Sequence, residues 1–258
     1  MSNLTKLFDI KNKTAIVTGS ARGNGKAIAL GLAELGVNVI GIDILSKELS
    51  KLSSFAKKNK LNIKTFVCDL NKSEDIINCL KAITKKNRKI DILINNAGVT
   101  YPESFFNYNL KKWEDTYNIN LKAPFIISQQ IACLMKKYKK GSIINITSLA
   151  QKFAFSNNPA YGSFKSALAI LSKNMAMDLG KYNIRVNNIV PGYIKTNMTK
   201  KSFSNKKLFL ERKNRSMLNR WGDSKDLIGA VVYLSTESSS YVTGQDIYVD
   251  GGWSNKGI

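Results

Sequence analysis

The chain has 258 residues, of which 43% are hydrophobic and 22% are charged, and it contains no histidine. This length is ordinary for one open α/β domain, and it is sufficient to bury a substantial core. The lack of histidine excludes a Ser-His-Asp triad, and three widely spaced cysteines without a CxxC motif give no sign of a metal site.

The net charge of +22 raises the question of a nucleic-acid partner. Most of the basic residues are lysines, and many lie in segments that we predict to be exposed, such as 56–60 and 135–140. We interpret this charge as solvated surface and expect no nucleic-acid partner, although attraction of an anionic substrate stays open.

The sequence carries no sign of export or membrane insertion. Residues 1–13 lack the apolar run of a signal peptide. The longest strongly apolar stretch, 227–234, is far shorter than a membrane span. We therefore expect a cytoplasmic protein without membrane contact.

Seven short apolar runs alternate with longer amphipathic segments along the chain. The runs predict strands at 14–19, 38–43, 63–69, 90–98, 141–148, 184–192 and 245–252. The intervening segments predict helices at about 25–36, 46–60, 73–87, 112–138, 161–181 and 224–236. Such alternation is typical of a parallel sheet covered by helices on both faces. Because no linker or repeat is visible, we predict one doubly wound Rossmann-type α/β domain over residues 1–258.

The first predicted strand runs into a glycine-rich loop, TGSARGNG, at residues 18–25. Gly19, Gly23 and Gly25 permit a tight turn and a close approach of the backbone to a ligand. The helix that follows directs its free N–H groups and the positive end of its dipole towards this point. We predict that the loop binds a pyrophosphate, the alternative being a plain turn between strand and helix.

Asp43 ends the second predicted strand, 24 residues after Gly19. Near this distance, the acidic residue of a dinucleotide-binding unit accepts hydrogen bonds from the adenine-side ribose. Alone, an aspartate after a strand is more often a turn residue, but its place in the same βαβ unit favours the ribose. The motifs CDL, NNAG, ITS and VPG close later strands, and together they predict a continuous cleft at one sheet edge.

Taken together, the motifs resemble those of the short-chain dehydrogenase/reductase family over nearly the whole chain. TGSARGNG, CDL, NNAG, NIN, ITS, YGSFK and VPGYIKT stand in that family's order and at its spacing. The resemblance implies an NAD(P)-dependent oxidoreductase that interconverts a secondary alcohol and a ketone by hydride transfer. It also implies the catalytic residues, which are Asn120, Ser148, Tyr161 and Lys165.

The resemblance gives each of these residues a role. Tyr161 exchanges a proton with the substrate, and the Lys165 ammonium, one helical turn away, lowers the pKa of the phenol and contacts the nicotinamide ribose. Ser148 holds the substrate oxygen, and Asn120 anchors a water path. Without the family pattern, Tyr161 and Lys165 would be two ordinary helix residues.

The implied cofactor contacts come from every strand end of the cleft, and no metal is expected. They are Thr18, Gly19, Ser20, Arg22, Gly23, Asn24, Gly25, Asp43, Asp69, Leu70, Asn95, Asn96, Ala97, Gly98, Tyr161, Lys165, Pro191, Gly192, Ile194 and Thr196. Asn24 departs from the family pattern, which usually has an apolar residue there. We expect NAD as the cofactor, with NADP possible, because Asp43 would repel the 2′-phosphate of NADP whereas Arg22 would attract it.

The segment 197–220 follows the last motif and predicts a mobile helical lid over the substrate. Its many cations suggest a carboxylate or phosphate on the substrate, although solvated charge is the simpler interpretation. The C-terminal part resembles gluconate 5-dehydrogenase-like oxidoreductases and also 3-oxoacyl-acyl-carrier-protein reductases. We favour a sugar, polyol or sugar acid over the thioester.

Two further expectations concern other functions and assembly. A non-catalytic dinucleotide sensor is the alternative from another class, but an intact set of four catalytic residues argues against it. The resemblance implies a homotetramer formed through the last strand and the helix before it. The apolar stretch 227–234 would be a liability if it were exposed on a monomer.

Overall fold

The structure, a computed structural model, describes residues 3–256 and contains one parallel sheet. All strand pairs are parallel, and the order along the sheet is 3-2-1-4-5-6-7. This arrangement confirms the predicted seven-stranded sheet. Its strands are β1 (Thr14–Thr18), β2 (Asn38–Asp43), β3 (Ile63–Val67), β4 (Ile92–Asn95), β5 (Gly141–Ile146), β6 (Ile184–Pro191) and β7 (Asp246–Val249).

Helices cover both faces of this sheet, as predicted. They are α1 (Asn3–Leu7), α2 (Gly23–Glu34), α3 (Ser46–Lys58), α4 (Ser73–Lys86), α5 (Leu110–Tyr117), α6 (Ala123–Tyr138), α7 (Pro159–Leu179), α8 (Lys200–Phe203), α9 (Lys206–Arg215) and α10 (Ile228–Ser235).

Each face of the sheet has its own core. One core contains buried side chains of α2, α3 and α10, and the other contains buried side chains of α4, α6 and α7. Successive residues of one strand alternate between them, since Ala15 and Val17 belong to the first core and Ile16 belongs to the second. The order of strands reverses at β1 and β4, and ligands of such sheets bind in the crevice opened there by the strands' carboxyl ends.

The predicted helix 112–138 is divided in the structure. A π-helical turn, Asn118–Lys122, separates α5 from α6. Asn120 in this turn is fully buried, and its side chain bonds to the backbone of Val99 in a neighbouring loop. Wide turns of this kind are frequent at functional sites. The break therefore gives the first structural sign of where the site lies.

Two other predicted helices begin or change character at positions that bear on the site. The structure starts α7 at Pro159, so that Tyr161 lies in its first turn. Proline suits this position because it has no N–H to leave unpaired. The predicted helix 224–236 is a 3₁₀ turn, Ser224–Leu227, followed by α10.

Four polar side chains stand in register across the carboxyl half of the sheet. Asn95, Asn145, Asn188 and Asp246 are paired neighbours on β4, β5, β6 and β7. Asn95 Nδ2 donates to Asn145 Oδ1 over 2.8 Å, and Asn188 Nδ2 donates to Asp246 Oδ1 over 2.7 Å. Ser172 Oγ joins the two halves through Asn145 and Asn188. Such buried networks fix strand register, and this one lies directly beneath the cleft.

The apolar stretch 227–234 belongs largely to the core. Leu227, Val231 and Leu234 are fully buried in the first core, whereas Ala230, Val232 and Tyr233 are partly exposed, so the predicted interface on this helix stays a prediction. In the part of the chain that the structure describes, no helix has both the length and the hydropathy needed to cross a membrane.

Candidate active site

Two adjoining cavities open along the carboxyl edge of the sheet. We call the one beside Gly19 and Asp43 the glycine-loop cavity, and the one beside Tyr161 the tyrosine cavity. Their volumes are about 250 Å³ and about 510 Å³. They form the continuous cleft that the sequence predicts, because they share the lining residues Asn24, Asn96, Gly98, Thr196 and Met198.

Most of the predicted cofactor contacts line this cleft. The glycine-loop cavity is lined by Gly19, Arg22, Gly23, Asn24, Asp43, Asp69, Leu70, Asn96, Ala97, Gly98 and Thr196. The tyrosine cavity is lined by Ser148, Tyr161, Lys165, Pro191, Gly192, Ile194 and Thr196, and also by Asn24, Asn96 and Gly98.

The glycine loop has the geometry of a phosphate cradle. Gly19 has φ +67°, and a Cβ on Gly25 would lie only 2.0 Å from the Gly19 carbonyl oxygen. Side chains at these two positions would break the turn. A Cβ on Gly23 would lie 3.5 Å from Thr196 on the opposite wall, so glycine keeps the passage between the cavities open. With the free N–H groups at the start of α2, this space fits a pyrophosphate.

Four predicted contacts line neither cavity, namely Thr18, Ser20, Gly25 and Asn95. Thr18 Oγ1 accepts hydrogen bonds from the N–H groups of Asn96 and Ala97, over 3.0 and 3.1 Å. Ser20 is fully buried, and a Cβ on Gly41 would lie 2.6 Å from its Oγ. The Thr18 side chain therefore holds the loop at Asn96 and Ala97, whereas the Ser20 hydroxyl is buried without a hydrogen-bond partner among the described residues. Asn95 is likewise buried, in the network of polar side chains that connects β4 to β7.

Asp43 is fixed at the end of β2. Its Oδ2 accepts from the Ala21 N–H and its Oδ1 accepts from the Leu45 N–H, each over 3.0 Å. The carboxylate therefore has one orientation, and it is only 9% exposed. Arg22 lies on the same cavity with an exposed side chain. Asp43 and Arg22, which the sequence predicts to have opposite effects on NADP binding, therefore line the same cavity.

Asn24, the departure from the family pattern, has a defined partner. Ser224 Oγ donates to Asn24 Oδ1 over 2.8 Å, which ties the glycine loop to the turn before α10. Asn24 also lines both cavities. The polar residue thus replaces apolar packing with a hydrogen bond.

Tyr161, Ser148 and Lys165 meet in the tyrosine cavity. Lys165 is 3% exposed, donates to the Ile146 carbonyl over 2.7 Å and has its Nζ 5.8 Å from the centre of the Tyr161 ring. Desolvation lowers the pKa of Lys165 to about 8. Desolvation also raises the pKa of Tyr161, and the Ser148 hydroxyl opposes this rise.

The direction for Tyr161 differs from the lowering that we predicted from the nearby ammonium. Burial acts on the phenol itself, whereas the Lys165 ammonium is directed to a backbone carbonyl and lies over the face of the ring. In the protein by itself, the phenol therefore keeps its proton at neutral pH.

Asn120 lies behind these residues, outside the lining of either cavity. It accepts from the Val99 N–H over 2.8 Å and donates to the Val99 carbonyl over 2.9 Å. A Cβ on Gly98 would lie 3.3 Å from Asn120 Oδ1 and 3.7 Å from Lys165 Nζ. Asn120 thus sets the position of the loop that faces Lys165, and its predicted part in a water path stays a prediction.

Several residues of the tyrosine cavity were not predicted from the sequence. They are Thr100, Ser156, Asn158, Tyr193, Ser202, Glu211, Arg212 and Arg215. The only available signal was the concentration of cations in 197–220, which did not identify the residues that turn inwards. That segment contains α8 and α9, so its predicted helical character is confirmed.

Comparisons with known proteins extend over nearly the whole chain. A family model described as enoyl-(acyl carrier protein) reductase matches residues 19–254. The gluconate 5-dehydrogenase of Gluconobacter oxydans is 34% identical, over 95% of this chain and 96% of that protein. The 3-oxoacyl-(acyl-carrier-protein) reductase of Buchnera aphidicola is 36% identical, over 94% of this chain and 98% of that protein.

The fold is also similar to a solved structure with ligands. A gluconate 5-dehydrogenase from Burkholderia cenocepacia, in complex with NADP and tartrate, matches with a TM-score of 0.94 and 27% identity. The match covers 99% of this chain and 100% of that one. The cleft described above therefore belongs to a chain that resembles these oxidoreductases from end to end.

Proposed function

The chain belongs to the short-chain dehydrogenase/reductase family and is an NAD(P)-dependent oxidoreductase, and from that premise we propose that its substrate is a sugar acid. In this proposal, the enzyme interconverts a secondary alcohol of the sugar acid and the corresponding ketone. The reaction takes place in the tyrosine cavity, and the cofactor occupies the glycine-loop cavity and the passage beside Thr196.

The lining of the tyrosine cavity carries the proposal. Beyond Tyr161 and Ser148, the cavity presents hydroxyl and amide groups that suit a polyhydroxy substrate, on Thr100, Ser156, Asn158 and Ser202. Its outer wall adds the charged residues of α9, Glu211, Arg212 and Arg215. The same lining includes the apolar side chains of Leu149, Phe155, Ile194 and Met198, so the proposal rests on the polar and charged groups and not on a lack of apolar surface.

The geometry supports an acid–base role for Tyr161. Its phenol gives a proton to the ketone oxygen during reduction and takes one from the alcohol during oxidation. Ser148 lies close enough to the phenol to affect its pKa, and we propose that it binds the same substrate oxygen. When bound, the nicotinamide supplies the hydride chemistry.

Lys165 and Asn120 support this chemistry in the proposal. The Lys165 ammonium lies over the face of the phenol and is mainly protonated at neutral pH, since its pKa is about 8. It stabilises the phenolate that is left when the phenol gives its proton to the ketone oxygen, and that accepts a proton from the alcohol in the reverse direction. Asn120 holds the loop at Gly98 and Val99 against this ammonium.

A second candidate is reduction of a 3-oxoacyl thioester. It is favoured by the 36% identity to the Buchnera aphidicola reductase. The same four side chains would serve, but the substrate would enter past α9 with an apolar chain. A non-catalytic dinucleotide sensor is the remaining alternative and would bind cofactor without turning over either substrate class.

A substrate screen separates these functions. We expect NAD(P)-dependent turnover of D-gluconate or its 5-keto form, with kcat/KM in the ordinary range of about 10⁴ M⁻¹s⁻¹ or above. Neutral polyols and acetoacetyl thioesters serve as the comparison substrates. Faster turnover of the thioesters would replace the proposal by the second candidate, and tight cofactor binding without any turnover would favour the sensor.

We also propose that residues 197–220 form a lid over the substrate. The segment carries α8 and α9 along the tyrosine cavity, and residues of both helices line it. An aromatic cluster seats the segment, since Phe203 and Phe209 contact the buried ring of Trp221. Movement of this lid and a cytoplasmic location both stay predictions.

We propose, finally, a homotetramer built on two separate surfaces. In the region that the structure describes, β7 pairs with β6 alone, and its outer edge is free beside the fully exposed Tyr241. Elsewhere, α6 and α7 form an apolar groove with Phe125 44% and Ile170 56% exposed. Two independent self-complementary surfaces generate a tetramer, whereas one gives a dimer.

Light scattering measures this assembly directly. We expect the mass of four chains at micromolar concentration. Phe125→Glu should reduce the particle to a dimer, because it places a charge in one apolar interface and leaves the other intact. A monomer at that concentration would contradict the proposal.

A further inference from the structure

Two arginines of α9 point into the tyrosine cavity. Arg212 and Arg215 stand three residues apart, so they lie on one side of this helix, and both line the cavity. Tyr161 and Ser148 line the same cavity from the sheet. The cavity thus has a hydroxyl group for acid–base chemistry at its base and a cationic wall on the lid segment.

The positive charge of this wall has no matching protein anion. Among the residues that the structure describes, neither Arg212 nor Arg215 forms an ion pair with a carboxylate. Glu211 also lines the cavity, which leaves two guanidinium groups against one carboxylate on this helix. The excess favours a ligand with one negative charge.

Aromatic rings lie close to both guanidinium groups. The Cζ atom of Arg212 lies 4.6 Å from the centre of the Tyr193 ring and 5.9 Å from that of Trp221. Arg215 Cζ lies 5.7 Å from the centre of the Trp253 ring. Arg212 also interacts with the Tyr193 hydroxyl, and its remaining N–H donors are those that would bind a carboxylate.

The rings are themselves held in place. Trp221 is 5% exposed, its Nε1 donates to the Phe209 carbonyl over 3.0 Å and its ring stacks on that of Phe209. Trp253 contacts Phe153 and Phe155 on the far side of the cavity. Arg212 is half-buried among these rings, which reduces the cost of ordering it on an anion, whereas Arg215 is exposed.

We propose that Arg212, assisted by Arg215, binds the carboxylate of the substrate and makes the enzyme select acids over neutral polyols. The inference rests on the proposed function, because it names the residues that recognise the acid. The relative from Burkholderia cenocepacia was solved with tartrate, a dicarboxylate, which is the ligand chemistry that this wall suits. With the carboxylate on α9, a carbon further along the substrate chain faces Tyr161.

The test measures binding in a Tyr161→Phe background, where the substrate is not consumed. D-gluconate, tartrate and the neutral D-sorbitol are titrated into the cofactor-saturated protein by calorimetry. Arg212→Met keeps the length of the side chain and its contact with Tyr193. We expect it to weaken gluconate and tartrate binding by about 10- to 100-fold, the usual range for a charged hydrogen-bonding partner, and to leave sorbitol unchanged.

Lys213→Met is the matched control, since Lys213 lies on the same helix outside the lining of either cavity. It removes the same charge from the lid segment and should leave all three ligands unaffected. Arg212→Lys should recover only part of the affinity, because an ammonium lacks the planar fork. Arg215→Met should show a smaller loss than Arg212→Met.

Two results would overturn the inference. One is an equal loss of gluconate affinity in Arg212→Met and Lys213→Met. This would show that the overall positive charge of the lid segment, and not a specific contact, attracts the acid. The other is equal affinity for gluconate and sorbitol in the Tyr161→Phe protein that keeps Arg212. Turnover is assayed separately with Tyr161 intact, so that an enzyme inactive on every sugar acid, but with Arg212-dependent tartrate binding, would refute the proposed function alone.

Discussion

Replacement of Tyr161 by phenylalanine is expected to lower kcat/KM by about 10²–10⁴ while cofactor affinity stays close to that of the parent. Phenylalanine keeps the ring beneath the Lys165 ammonium and removes only the hydroxyl that exchanges the proton. The structure places no histidine or second phenol at this point to replace it, since the sequence has no histidine and Tyr193 lies on the lid side of the cavity. Steady-state rates check the loss of kcat/KM, and a cofactor titration checks that the affinity for the cofactor is unchanged.

The pH dependence identifies the step that is lost. Burial raises the pKa of the Tyr161 phenol, so the free protein holds this proton at neutral pH and is ready to donate it in reduction. Oxidation needs the phenolate, and its rate should therefore rise with pH through the alkaline range. In the phenylalanine variant, this rise should disappear along with most of the rate.

Tyr138→Phe provides the control for removal of a phenol. Tyr138 is an exposed residue at the end of α6, away from both cavities. Its variant should match the parent in rate and pH profile. Activity of Tyr161→Phe within about threefold of the parent would remove Tyr161 from the acid–base role.

The sheet was predictable because each strand carries its own signal. Ile92, Leu93 and Ile94 are buried on the two faces of β4. Such continuous apolar runs are typical of strands in a sheet that has helices on both faces. Helix ends were less predictable. The π-helical turn at Asn120 depends on a bond to Val99, 21 residues earlier, and local periodicity contains no trace of such a contact.

The residues of the site also differ in how well the sequence predicts them. Gly19, Gly25 and Asp43 were predictable because their chemistry is required by the local turn and strand end. Ser20 was predicted together with them, but it lies in the turn after β1 and its side chain is buried against Gly41, where the turn and not local sequence sets its direction. Arg212 was hidden among other lid cations, because only the packing of α9 on Trp221 decides which cation turns inwards.

The choice between NAD and NADP depends on Asp43 and Arg22. Asp43 is held by two backbone N–H groups and lies 9% exposed, at the position where a 2′-phosphate would approach in this family. Arg22 is exposed, and its attraction for a phosphate is screened by salt. Like charges forced together in a partly desolvated cleft cost several kcal/mol, so repulsion by Asp43 should win.

We therefore expect kcat/KM to be about 10²-fold higher with NAD than with NADP on any accepted substrate, where about 1.4 kcal/mol corresponds to tenfold. Asp43→Ala should narrow this ratio mainly by improving the use of NADP, because the repulsion is removed while the pyrophosphate cradle remains. Arg22→Ala should widen the ratio, because it weakens the use of NADP alone. The relative from Burkholderia cenocepacia was solved with NADP, so the fold by itself does not exclude the 2′-phosphate. A parent that prefers NADP, and whose ratio of kcat/KM with NAD to kcat/KM with NADP rises above one in Arg22→Ala, would show instead that the arginine overrides the carboxylate.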